Sequence, residues 1–183
     1  IGKLLARSAM KDRPPVTLLD VEELDDDALV IPTAMMGAPT VMVEKIPSGD
    51  EVITAIRSLG EYLGKEVVAT MPMEAGGVNS MIPFAVAARE GLPVVDADGM
   101  GRAFPELQMV TPTIWGIGAT PMAIADDKGN SAVLNTISNH WTETFARSLT
   151  VDMGASALIA LFPMTGKQVK EATIPGTLSL IQR

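Results

Sequence analysis

The chain has 183 residues and a formal net charge of -8, which argues against nucleic acid and anionic membranes as partners. It contains no cysteine, so disulfides, thiol catalysis and cysteine-based metal sites are excluded. No apolar run approaches the roughly 18 residues of a membrane span, and no signal peptide is visible, so we expect a cytoplasmic protein. Aromatic residues make up only 4% of the chain, which predicts an aliphatic core with methionine filling its irregular gaps.

In the first half of the chain, helical and strand patterns alternate. Apolar spacing predicts a helix over residues 2–12 that ends at Pro14-Pro15. An amphipathic helix is predicted to end at Leu63, with Gly64 as its C-cap. Ser80 is predicted to cap a further helix, which Gly91 stops. The segments between these helices are predicted strands at residues 16–21, 28–34, 67–73 and 92–95.

The second half begins with a predicted β-hairpin and continues with helices around a buried strand. The predicted hairpin strands are 122–125 and 132–134, the helix is 139–149, the strand is 156–164, and further helices open near Thr165 and Pro175. The alternation of strands and helices predicts a parallel or mixed sheet covered by helices. Because no repeat or linker interrupts residues 1–183, we expect a single α/β domain.

Acidic residues follow two successive predicted strands. Glu74 follows the strand 67–73, and Asp96 and Asp98 follow the next strand, with Glu106 farther along. Since loops at the carboxyl ends of strands bind ligands in open α/β sheets, we expect Glu74, Asp96 and Asp98 around one cavity. Asp96 and Asp98 share a face in extended backbone and could serve acid–base chemistry or a divalent metal. Equally, they could satisfy backbone amides in turns.

The predicted substrate-binding residues lie in the same two loops: Gly76, Gly77, Asn79, Ser80, Gly99 and Arg102. The glycines would let backbone approach a ligand closely, although they match neither a phosphate loop nor a dinucleotide fingerprint. Asn79 could orient a polar ring or donate to an oxyanion. Arg102 could bind a substrate carboxylate or pair with a nearby aspartate.

These loops resemble a known family. The segments 35–41, 44–45, 74–80 and 94–109 are similar to the N-terminal domain of S-methyl-thiohydantoin desulfurases. The last segment reads Val-Val-Asp-Ala-Asp-Gly-Met-Gly-Arg-Ala-Phe-Pro-Glu-Leu-Gln-Met. The resemblance implies a three-layer α/β sandwich that is followed in the family by a β-rich domain. It also implies hydrolysis of a hydantoin-like cyclic imide or its sulfur analogue, and a hydantoinase/oxoprolinase protein as partner.

The resemblance and the acids together give the leading hypothesis, a hydrolase with Asp96 or Asp98 as base and Glu74 or Glu106 as its partner. The alternatives are a non-catalytic ligand-binding or accessory module of a hydantoin-utilisation system, and a metal-dependent hydrolase using the same acids. We predict no cofactor, with a divalent metal as the alternative, and a homo-oligomer. The family's glycine-rich segment before the first helix and its β-rich domain lack counterparts here, so we expect a fragment that turns over little alone.

Overall fold

The computed structural model describes residues 2–38, 40–44 and 47–181. Its helices are α1 (Gly2–Met10), α2 (Val41–Glu44), α3 (Asp50–Leu63), α4 (Ile82–Glu90), α5 (Thr111–Ile114), α6 (Asn139–Asp152), α7 (Gly166–Ala172) and α8 (Thr177–Ile181). Its strands are β1 (Leu18–Leu19), β2 (Leu29–Gly37), β3 (Val67–Pro72), β4 (Val94–Val95), β5 (Ala97–Asp98), β6 (Met122–Ala125), β7 (Ser131–Leu134), β8 (Ser156–Ala160), β9 (Met164–Thr165) and β10 (Ile174–Pro175). Two residues of the segments that resemble the known family, Pro39 and Lys45, lie outside the described residues.

A mixed sheet organises the molecule. Within the described residues it has eight strands in the order β1-β4-β3-β2-β8-β6-β7, with β9 also paired to β2. The strands β1, β4, β3 and β2 are parallel, whereas β8, β6 and β7 continue the sheet with antiparallel pairing. The parallel half therefore has its strand ends, and the loops that follow them, at one edge.

Helices cover both faces of this sheet, so the fold is a three-layer α/β sandwich. In β8, Ala157 and Ile159 belong to the core beneath α6 and α7, while Leu158 and Ala160 belong to the core beneath α3 and α4. This alternation follows from the period of two in a strand. The small helix α1 packs against α4. In the described part of the chain, no helix combines the length and hydropathy needed to cross a bilayer.

Several predicted boundaries move for identifiable reasons. The strand predicted at residues 16–21 shortens to β1, because Asp20 caps a 3₁₀ turn at Val21–Glu23. The strand predicted at 156–164 divides into β8 and β9 at Phe162, whose φ is +48°. Conversely, β2 runs on to Gly37, since β8 pairs with it along this stretch. A side chain at Gly37 would put its Cβ 2.3 Å from the carbonyl oxygen of Ala155.

The predicted hairpin forms, and Asp126 closes its turn. One carboxylate oxygen of Asp126 accepts the backbone N–H groups of Lys128 and Asn130, and the other accepts the side-chain amide of Asn130. Burial by itself raises the pKa of Asp126, but the bonds from Asn130 and Lys128 outweigh it and lower this pKa below its ordinary value. The ionised carboxylate is thus the form that stabilises the turn.

We expect Asp126→Asn to lower the free energy of unfolding at pH 7 by about 1 kcal/mol, because one charged acceptor is lost. The folded-state pKa lies below the unfolded value of about 4. The stabilisation is therefore complete above pH 4 and disappears as the pH falls through the folded pKa. Urea unfolding of both proteins at pH 7 and pH 3 measures this, with the exposed Glu66→Gln as control. An undiminished difference at pH 3 would contradict the prediction.

Candidate functional site

A cavity of about 520 Å³ opens at the carboxyl ends of β2 and β3. Its polar lining comes from three segments that are distant in sequence: Glu74, Gly76, Gly77, Asn79, Glu106, Glu143 and Arg147. Its apolar lining includes residues of β2 and β8 and residues directly after β3 and β8: Met35, Met36, Met73, Ile159 and Leu161. The position agrees with the general rule that open α/β sheets bind ligands beyond the carboxyl ends of their strands.

The carboxylate of Glu74 is held at both oxygens. Oε1 accepts the side-chain amide of Asn79 at 2.6 Å, and Oε2 accepts the backbone N–H of Phe104 at 3.1 Å. Each carboxylate oxygen has two lone pairs, so this arrangement fixes the orientation of Glu74 and leaves acceptor capacity toward the cavity. The prediction that Glu74 lines a cavity at this edge is confirmed.

Asn79 acts on the backbone of the sheet as well as on Glu74. Its Oδ1 accepts the N–H of Met35 at 2.7 Å, and its Nδ2 donates to the carbonyl of Met35 at 3.3 Å. The pairing of β2 with β3 ends at Pro72. Beyond this point the side-chain amide of Asn79 makes the hydrogen bonds to β2 that a further residue of β3 would otherwise make. Both N–H groups of the amide are used, on Met35 and Glu74, which makes Asn79 a positioning residue.

Ser80 was predicted as the N-cap of α4, and this prediction is wrong. The residue before α4 is Met81, which makes no side-chain capping bond. The hydroxyl of Ser80 instead accepts the backbone N–H of Gly76 at 2.8 Å, while its own N–H donates to the carbonyl of Gly76. Ser80 thereby closes the glycine loop beside Glu74, and it does not line the cavity.

The opposite wall depends on α6, which the motifs did not indicate. Glu143 is buried and accepts the backbone N–H of Leu107 at 3.0 Å. It also holds Arg147, whose guanidinium donates to the carbonyl of Pro105 at 2.9 Å. The i, i+4 spacing of this Glu–Arg pair is visible in the sequence, but it does not reveal that the pair anchors a loop 36 residues away.

Asp96 lies outside the cavity, contrary to the expectation that three carboxylates surround it. Its Oδ1 accepts the N–H of Leu178 at 2.8 Å and of Ser179 at 3.2 Å, and Oδ2 bonds the hydroxyl of Ser179. A carboxylate at these amides satisfies unpaired donors at the start of α8. Asp96 therefore lies outside the cavity because it binds backbone N–H groups of α8, which follows it by 82 residues in the chain.

Asp98 also lies outside the cavity lining. It is fully buried, and its Oδ1 accepts the N–H groups of Met100 at 2.6 Å and Gly101 at 2.5 Å. This is the turn-satisfying role that the sequence left open. Its Oδ2 has no hydrogen-bond partner among the described residues. Asp96 and Asp98 thus bind different backbone segments and do not act as a pair.

Of the other predicted residues, some line the cavity and some do not. Glu106 is exposed and lines the cavity, where the amide of Gln108 bonds its carboxylate. Gly76 and Gly77 also line it. Gly99 is buried beneath the site, where its N–H donates to the carbonyl of Met73 at 3.1 Å. Arg102 is exposed and forms no ion pair with any described residue, so of its two predicted alternatives the pairing with an aspartate is not seen.

No cluster of three or more His, Asp or Glu side chains within the described ranges has the geometry of a metal site. The acids that line the cavity are held by protein donors. Glu74 is bonded by Asn79 and Phe104, and Glu143 by Arg147 and Leu107. The divalent metal therefore stays an alternative without an identified cluster of ligands among the described side chains.

Comparison with protein families decides the affiliation. Residues 1–136 match the model described as S-Me-THD-like, N-terminal domain, and residues 137–183 match S-Me-THD-like, C-terminal domain. The chain belongs to the S-Me-THD-like family. The second match extends the resemblance beyond the N-terminal domain to which the motifs pointed. In this member of the family β8, from the second region, lies between β2 and β6 of the first, so both regions share one sheet.

A solved structure supports the fold of this S-Me-THD-like chain. The X-ray crystal structure of a protein from Chromobacterium violaceum superposes with a TM-score of 0.83 at 28% sequence identity. The match covers 97% of this chain and 53% of the other, so the chain spans about half the length of that protein. A comparison with curated proteins found no match.

Gly99 offers a test of how closely the cavity floor is packed in this family member. A Cβ at Gly99 would lie 2.5 Å from the sulfur of Met73 and 3.2 Å from its carbonyl oxygen. We expect Gly99→Ala to destabilise the protein by about 1–3 kcal/mol through overpacking. Gly77→Ala is the matched control, since its added Cβ has no atom within 4 Å. Thermal unfolding measures both, and equal stabilities would refute the role assigned to Gly99.

Proposed function

We propose that this chain carries the catalytic cavity of a hydrolase that acts on hydantoin-like cyclic imides or S-methyl-thiohydantoins. The observation that carries the proposal is the carboxylate of Glu74, which is oriented by Asn79 and Phe104 at the wall of a 520 Å³ cavity. Ligand pockets typically measure about 300–1,000 Å³, so a substituted five-membered ring fits. Membership of the S-Me-THD-like family supports this class of substrate.

In the proposed reaction, Glu74 is the general base. It takes a proton from a water molecule as the water oxygen forms a bond to the ring carbon that bears the leaving group. With an S-methyl-thiohydantoin, Glu74 passes this proton to the ring nitrogen. The C–S bond then breaks as the C=O bond forms, and the hydroxyl proton goes to the departing methanethiolate, so that one water is consumed and hydantoin and methanethiol result. Glu106, at the exposed side of the cavity, is the acid proposed to deliver that proton.

The charge that develops on the ring needs hydrogen-bond donors. Gly77 lines the cavity, and its backbone N–H has no acceptor among the described residues, so we propose it for this role. The amide of Asn79 does not, because Met35 and Glu74 already occupy it. The methionines of the floor provide polarisable apolar surface for the ring and its substituent.

This proposal changes the assignment of the acids. Asp96 and Asp98 are proposed to shape the backbone around the site, as both accept backbone N–H groups outside the cavity lining. Glu74 replaces them as the base. A homo-oligomer, a hydantoinase/oxoprolinase partner and a cytoplasmic location remain part of the proposal. The matched region makes up 53% of the Chromobacterium violaceum protein. Any activity of a longer protein that contains this region is likewise a proposal.

We expect Glu74→Gln to lower kcat for S-methyl-thiohydantoin by about 10²–10⁴-fold, since a general base typically contributes that much. The oxygen of the glutamine can still accept from Asn79, but its NH2 group then faces the N–H of Phe104, and two donors cannot bond to each other. A small loss of stability is therefore also expected. Methanethiol release under saturating substrate measures the effect. Thermal unfolding of the same sample separates lost chemistry from lost folding.

Asp96→Asn is the control for the acids outside the cavity. It keeps an acceptor oxygen for the start of α8, and we expect kcat within about threefold of the unmodified protein, a change of well under 1.4 kcal/mol. A large loss of kcat for Asp96→Asn together with normal turnover for Glu74→Gln would reverse the assignment. Binding of the thiohydantoin without any turnover, both by this chain and by a longer natural protein that contains it, would favour the accessory-module alternative.

A further inference from the structure

A second cavity, of about 420 Å³, lies on the other face of the sheet, between α1, α4 and the start of α3. Its lining shares no residue with the lining of the Glu74 cavity. Leu158 of β8 contributes to it, whereas the neighbouring Ile159 lines the Glu74 cavity. The sheet therefore separates the two spaces, and a role for the second cavity needs its own argument.

The second cavity has an apolar end and a basic end. The helices α1 and α4 run in the same direction, because Gly2 lies against Gly77 and Val78 just before α4, while Arg13 donates to the carbonyl of Ala88 in the last turn of α4. The lining residues near the helix starts are apolar: Leu4, Leu5, Ile82 and Ala85. Those near the helix ends are basic: Lys11, Arg13 and Arg89.

Arg89 has unused hydrogen-bonding capacity at the basic end. Its Nη2 binds Oδ1 of Asp50 at 2.8 Å, but its Nη1 is buried and has no hydrogen-bond partner among the described residues. A buried donor without an acceptor is unfavourable. Gly49 at the start of α3 leaves room for this nitrogen, since a Cβ there would lie 3.1 Å from it.

The basic end is unusual in a chain with a net charge of -8. The helix α1 carries Lys3 and Arg7 and no acidic residue. The acids that face the region are Asp50, which is paired with Arg89, and Glu51, which accepts from Ser48 and Gly49. Asp12 adjoins Lys11 in sequence but is exposed and does not line the cavity. Three cations therefore line the cavity. The two described carboxylates beside them, Asp50 and Glu51, already accept from Arg89 and from Ser48 and Gly49.

From this polarity we infer that the second cavity binds a carboxylate with an apolar body, such as a medium-chain acyl or aryl carboxylic acid. The carboxylate would accept from Nη1 of Arg89 and lie between Arg13 and Lys11, and the apolar body would lie along Leu5, Ile82 and Leu158 toward the helix starts. Guanidinium groups suit carboxylates because of their forked donors. The site is independent of the hydrolase reaction proposed above.

Octanoate is a suitable probe. Acetate, which lacks the apolar tail, and 1-octanol, which lacks the charge, are the comparison probes. We expect calorimetry on the purified protein to give saturable binding of one octanoate, with acetate and 1-octanol each at least tenfold weaker. Arg89→Met should weaken octanoate binding by at least about tenfold, as expected for a lost charge-assisted bond. Arg57→Met is the matched control, because Arg57 is an exposed arginine that pairs with Glu90 and does not line the cavity.

Arg13→Met provides a second test if Arg89→Met does not fold, since Arg13 is exposed and its side chain makes one hydrogen bond to a described residue, the carbonyl of Ala88. It should weaken octanoate binding while the thermal unfolding midpoint stays close to that of the Arg57→Met control. The inference is overturned if octanoate does not bind. It is also overturned if octanoate and 1-octanol bind equally, or if the Arg89 and Arg13 variants bind octanoate as tightly as the control. In those cases the role of the cations is only to interact favourably with the helix dipoles at the carboxyl ends of α1 and α4.

Discussion

The side-chain amide of Asn79 is the interaction on which the candidate site depends. It bonds both backbone groups of Met35 in the central strand and one oxygen of Glu74. A rigid sheet therefore sets the position of a carboxylate in a loop. Positioning of this kind matters for catalysis because a reacting group gains most from a geometry that is already in place before the substrate binds.

The second constraint on the site acts across the cavity, through the helix α6. Glu143 and Arg147 hold the segment of Pro105 and Leu107 by bonds to its backbone, and this segment follows Phe104, whose N–H fixes the other oxygen of Glu74. The helix belongs to the region that matches the family's C-terminal model. The cavity thus needs both matched regions, which agrees with β8 lying inside the common sheet.

The acids of this chain show how the same residue type takes different roles according to the donors around it. Asp96, Asp98 and Asp126 accept backbone N–H groups at a helix start and in two turns. Glu74 is bonded as well, but it lies at a cavity wall where acceptor capacity remains. Carboxylates near backbone donors are stabilised by those donors, so an acidic motif on its own does not distinguish a structural role from a chemical one.

Local signals in the sequence determined much of the fold. The glycines 64 and 91 end α3 and α4 as predicted, and both adopt the left-handed conformation. Thr165 opens α7 with a capping box, and the hairpin forms around Asp126. The motifs also predicted one shared site for the loops after two successive strands, and of the residues named there Glu74, Gly76, Gly77, Asn79 and Glu106 line the cavity. These features depend on neighbours a few residues away, so their chemistry is readable in the chain itself.

Tertiary structure alone decided the rest. Asp96 meets the start of α8 across 82 residues, and Glu143 meets Leu107 across 36 residues. The break between β8 and β9 at Phe162 likewise arises where the chain packs against β2. Which donor reaches a carboxylate depends on how the layers pack, and periodicity specifies the face of a helix or strand but not the partner that covers it. The sequence therefore identified the edge at which the site lies, while packing selected which acids face it.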